Sequence, residues 1–125
     1  MELNASASLT LQVSGGPSIS IPWSIAADAF ERSTVKIPKN TAKLDVLLQP
    51  AGGDKILLLV VTATKYADTL LFSFDAGTTN YKMNNPQVVS GGDLMKSLNA
   101  TPTTVSFKNS GAEDITVDML VLRRA

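Results

Sequence analysis

Ile56-Leu57-Leu58-Leu59-Val60-Val61 is an unbroken apolar run between Gly52-Gly53-Asp54-Lys55 and Thr62-Ala63-Thr64-Lys65. Its length suits one strand, and its flanks are turn formers. Most other segments alternate apolar with polar residues, as strands with one dry and one wet face do. This run is apolar on both faces, so something must cover the side that the chain's own core does not. Two covers are open: another copy of the chain, or a segment such as Ala26–Arg32 or Asp93–Leu98 folding back as a helix.

Alternating strands surround this run on both sides. Ala5, Ala7, Leu9, Leu11 and Val13 share one face, with Ser6, Ser8, Thr10 and Gln12 on the other. Gly15-Gly16-Pro17 makes a turn. A second strand follows, with Ile19, Ile21, Trp23 and Ile25 inward, and Pro22 places it at a sheet edge. Ala26–Arg32 reads as a helical turn or an irregular crossover, and Val35 and Ile37 form a short strand stopped by Pro38.

Ala42, Leu44, Val46 and Leu48 then alternate with Lys43, Asp45 and Leu47. The turn at Pro50–Asp54 is expected to place the apolar run antiparallel to that strand. Leu70, Phe72 and Phe74 lie on the core side of the next strand. Short strands at Tyr81–Met83 and Gln87–Val89 flank Asn84-Asn85-Pro86, and Asp93 is placed to cap a helical turn over Leu94–Leu98. Thr103–Phe107 and Ile115–Leu122 complete about eight or nine strands. Such spacing predicts an all-β, antiparallel sandwich, jelly-roll-like, in one domain over residues 1–125.

At 125 residues and 13.2 kDa the chain is long enough for one core. Eleven basic residues balance eleven acidic ones. The only basic clusters are Lys36/Lys39/Lys43 and Arg123-Arg124, short of the stripe that nucleic acid requires. No stretch approaches a membrane span of about 20 apolar residues, so no membrane insertion is expected. Met1-Glu2-Leu3-Asn4 lacks the features of a signal peptide, giving the expectation of a protein made in the cytoplasm.

The chain has no cysteine and no histidine. A Ser-His-Asp triad, a cysteine nucleophile and zinc sites built on His or Cys are excluded. The acidic residues fall mainly in turns, where they cap backbone rather than pair for catalysis. No catalytic residue and no cofactor are expected. Asp75–Asn80 offers oxygen ligands but departs from the EF-hand pattern, so no metal site is expected either. Gly52-Gly53 and Gly91-Gly92 lack the spacing of a phosphate-binding fingerprint.

Lys55 and Lys65 flank the apolar run, and their parity points Leu57, Leu59 and Val61 outward. Leu120 and Leu122 share a face with Thr116 and Asp118, while Leu47 and Leu71 are apolar members of polar outward sets. Leu47, Leu57, Leu59, Val61, Leu71, Leu120 and Leu122 would then form one patch, an oligomer interface. Its burial would contribute on the order of 10–20 kcal/mol as an upper bound. A homo-oligomer follows, with a trimer favoured. A second expectation is a glycan site, because Tyr66 and Tyr81 with Asn80, Asn84 and Asn85 offer rings and amides beside loops.

The Ser/Thr/Asn-rich short strands, the apolar strands Lys55–Thr64 and Ile115–Arg123, and the missing His and Cys together resemble the small all-β modules of phage particles. Decoration proteins and tail-fibre domains are the type. That resemblance implies a non-enzymatic structural protein docking on a larger protein assembly, incorporated in a virion. The alternative is a lectin-like carbohydrate-binding module.

Overall fold

Period-two alternation and Gly, Pro and Asn turns build a two-sheet β-sandwich with a hairpin attached to it. The computed structural model describes residues 3–47, 56–74, 80–90 and 104–124. The strands are β1 (Leu3–Gln12), β2 (Ser18–Ala27), β3 (Ala29–Ile37), β4 (Thr41–Leu47) and β5 (Ile56–Ala63). They continue with β6 (Leu70–Phe74), β7 (Tyr81–Lys82), β8 (Gln87–Ser90), β9 (Thr104–Asn109) and β10 (Ile115–Arg123). No helix occurs among the described residues. The expected cap and turn over Asp93–Leu98, the Asp75–Thr79 portion of the oxygen-rich loop, Leu48 and Lys55 lie outside them.

The first sheet has the order β3-β10-β5-β8 and the second β4-β9-β6-β7, with antiparallel pairing throughout. From β3 onward the chain changes sheet at every connection except β6–β7, which is the strand order of a jelly roll. Two expectations are corrected here. β4 and β5 are not a hairpin: they lie in opposite sheets, because β5 pairs with β10 and β8. Ala26–Arg32 is neither helix nor crossover: it is the end of β2, a bend at Asp28, and the start of β3, which makes the short strand expected at Val35 and Ile37 nine residues long. The Asp28 N–H donates to the Arg123 carbonyl (2.9 Å), pinning the bend to the end of β10.

Between the sheets, inward residues of both layers form one core that includes Ile37, Leu59, Val61, Leu70, Phe107 and Val117. Phe72 packs edge-on against Phe74 at 6.0 Å, and Tyr81 lies over both. Each such side chain contributes roughly 1.5–3 kcal/mol by leaving water. Asn109 is the polar keystone of this core. Its Nδ2 donates to the carbonyls of Ile37 (3.1 Å) and Glu113 (2.8 Å), and its Oδ1 accepts from the Gly111 N–H (3.0 Å). One side chain thus joins β3 to the β9–β10 turn.

β1 and β2 pair only with each other, in register from Leu3↔Ala27 to Gln12↔Ser18. The turn closes through Gly16 N–H to Val13 O (2.8 Å) and Val13 N–H to Pro17 O (3.1 Å), with Gly15 at φ 70°. That left-handed position suits glycine, and alanine there is expected to cost about 1 kcal/mol. The base of the hairpin, at Leu3, Ala5, Ile25 and Ala27, packs on Leu58 and Leu122 of the first sheet. From Ser8 to Pro22 every residue is exposed.

Candidate functional site

Parity along β5 and β10 decides what the outer face of the first sheet presents. Leu59 and Val61 face the core and are almost completely buried. Leu58, Val60 and Thr62 therefore face out, opposite Leu122, Leu120 and Asp118 of β10. Leu57 is the extra residue of a bulge, since Ile56 pairs with Arg123 and Leu58 with Leu122. The outward placement of Leu59 and Val61 is thus corrected, whereas Leu57 packs on the outer side with Leu58, Leu122 and the hairpin base. Lys65 lies in the bend beyond β5 and does not report the strand's parity, and a one-residue slip exchanges every side chain between faces.

The set inferred as one patch is divided among four environments. Leu59 and Val61 are core, while Leu57 and Leu122 sit with the hairpin base. Leu120 is half-buried on the outer face of the first sheet, whereas Leu47 (77% exposed) and Leu71 lie on the second sheet. Outward Leu47, and Leu120 sharing a face with Asp118, agree with the alternation. Phe30 and Val88 were missed. Phe30 lay in the stretch with no clear period, and Val88 in a strand of four residues. Thr62 shares the outward parity of Val60 and Leu58, and its pairing with Asp118 of β10 fixes that face as the wet one.

What the outer face does present is an apolar row flanked by charge. Val60 lies between Leu120 and Val88 as Cα partners across β10, β5 and β8. Phe30, 60% exposed, stands opposite Leu122 on the edge strand β3, and Val88 is 52% exposed. Phe30, Val60 and Leu120 line a shallow groove of about 410 Å³ with Arg32, Thr62 and Asp118. The hairpin base covers Leu58 and Leu122 and reaches Val60, leaving Val60 and Leu120 half-buried and Phe30 and Val88 exposed. The double-faced apolar run is therefore covered partly from within, by the base of the β1–β2 hairpin.

At the charged end, Arg32 Nη2 donates to Asp118 Oδ2 at 2.6 Å and Arg32 Nε to Oδ1 at 3.1 Å. The hydrogen bond from Arg32, more than its charge, lowers the Asp118 pKa below the ordinary value of 3.8. Asp114 is lowered mainly by the Lys39 N–H, with Lys36 second. A depressed carboxylate adds stability that is present above the unfolded value and lost as pH falls through the folded one. Both groups are solvated, so the effect is small. Asp118→Asn should be slightly less stable than the native protein at about pH 7, with the gap closing near pH 2, read by urea melts.

The residues expected to bind a glycan come only partly together. Tyr81 packs against Phe72 and Phe74, and Tyr66 is half-buried with its hydroxyl accepting from the Ala63 N–H (3.2 Å). Neither ring lies open as a stacking platform. Asn84 Nδ2 donates to Asp68, and Asn85 Nδ2 donates to Asn84. Asn80 stands apart, on a polar groove of about 240 Å³ over the second sheet beside Lys43, Ser73 and Ser106. Among the described residues, no cluster of three or more acidic side chains is placed to hold a metal.

Fold and face together define a jelly-roll sandwich with an uncharged hairpin and a partly open apolar sheet face. No family model, curated protein or solved structure matches this chain.

Proposed function

We propose that this protein is a non-enzymatic structural subunit that assembles with copies of itself through the outer face of its first sheet. The observation that carries this reading is the open row of Leu120, Val60 and Val88, with Phe30 beside it. Monomers rarely leave contiguous apolar surface of several hundred Å² in water. Jelly rolls serve both capsids and lectins, so the fold alone does not choose a function. The open face favours assembly, and with the phage-module resemblance it supports a decoration or tail component of a virion.

The test is solution mass by light scattering after size exclusion, for the native chain and for Leu120→Asp. The native chain is expected as an oligomer of fixed size. Leu120→Asp should fall to monomer with unchanged strand signal in circular dichroism, because position 120 lies on the outer face. A native chain that stays monomeric at every concentration would sink the proposal.

A further inference from the structure

The β1–β2 hairpin carries a second apolar surface that the sheet face does not explain. Leu9, Leu11, Ile19 and Ile21 all project from one side of the ribbon, since Leu9 pairs with Ile21 and Leu11 with Ile19. Leu11 is 56% exposed and Ile19 53%. From Leu3 to Ala27 the chain contains no Asp, Glu, Lys or Arg. Charged edges are a usual guard against unwanted strand contacts, and this ribbon has none. An isolated two-stranded hairpin is marginal in water, so its free half needs a cover.

We infer that the hairpin is an interlocking arm whose apolar side seats on the Phe30, Leu120, Val60 and Val88 surface of a second copy of this chain. The inference rests on the self-association reading above and names its mechanism. Three observations commit it to that occupant. The base of the same ribbon face already packs on Leu58 and Leu122, the adjoining part of the same sheet face, so an incoming arm continues a layer that exists within each chain.

The dimensions also agree. Five residues of free strand run about 17 Å, and four strands of sheet span about 14 Å. The arm and the row each offer on the order of 400 Å², so in a pair that exchanges arms each chain buries about 800 Å², one partner's share of a standard interface. Finally, an uncharged arm carries nothing to recognise nucleic acid or an acidic surface. Arm on face is a heterologous contact, which closes either by reciprocal exchange or as a ring.

The absence of native cysteine makes cross-linking unambiguous. Leu11→Cys and Val88→Cys chains, tagged to differ in mass, are mixed and mildly oxidised. The mixed product joining one of each is expected to dominate over either self-product. In parallel, the double variant Leu11→Asp/Ile19→Asp should weaken assembly by at least about tenfold. Its thermal melt should stay close to native, because both positions are exposed.

Trp23, the single tryptophan, lies in β2 and reports docking as a concentration-dependent shift of emission. An oligomer that cross-links only Leu11→Cys to itself would mean that arms pair with arms, overturning the inference while leaving self-association standing. Full assembly of the double variant would overturn it in the same way. A native chain that is monomeric throughout would remove both proposals together.

Discussion

Leu59→Asp is expected to unfold the protein, whereas Leu120→Asp, in the neighbouring strand of the same sheet, leaves it folded. Leu59 is 2% exposed and packs in the main core. Removing its side chain from such a site costs about 2–5 kcal/mol. The introduced carboxylate adds several more, because among the described residues no cation is buried in the core and burial of an unpaired charge is resisted strongly. The total approaches the whole stability of a domain this size, about 5–15 kcal/mol. Loss of the cooperative thermal transition by calorimetry is the expected reading. A native-like melt for Leu59→Asp would show that β5 presents its other face to the core, and the open row on the sheet would have to be redrawn.

Asn109→Ala is the second large effect. The side chain is fully buried and makes three hydrogen bonds to backbone groups of two segments far apart in the chain. Alanine forfeits these bonds and strands the Ile37 and Glu113 carbonyls and the Gly111 N–H. At roughly 1 kcal/mol per bond, with a further penalty for stranded groups, the loss is about 3–4 kcal/mol. The melting temperature should fall by about 10–15 °C.

Asn109→Asp separates hydrogen bonding from packing. Its ionised carboxylate would face two carbonyl oxygens, which raises its folded pKa above the ordinary range. Stability of that variant should therefore be higher at about pH 4 than at about pH 7, falling as pH rises toward the raised value. A melt identical to native for Asn109→Ala would mean that water replaces all three bonds, and that the residue does not hold β3 to the β9–β10 turn.

These outcomes bear on how the face was found. The alternation in β1, β2, β6 and β10 was legible, since each has polar residues on one parity to orient the strand, but Ile19 and Ile21, expected inward, are exposed because the outer half of the hairpin packs on neither sheet. The turn at Gly15-Gly16-Pro17 and the strand end at Pro38 were legible for the same local reason. β5 was not, because a strand apolar on both parities has a period but no sign. Its facing comes from β10, where Asp118 opposite Thr62 sets the wet row, and that pairing joins distant parts of the chain. Phe30 was hidden because Asp28 bends the backbone between two strands and breaks the local period.

An all-β chain of short antiparallel strands, without histidine or cysteine chemistry and with one strand that needs cover on two sides, could be read from the residues in order. Those properties are local: side-chain period, turn residues and composition. Tertiary structure alone decided that Leu59 and Val61 are core, that the hairpin base covers Leu58 and Leu122, and that the free arm and the Val60 row stay open. Burial of one apolar face against another is a contest among non-local partners, and only the folded arrangement of both sheets and the hairpin shows which surfaces found one.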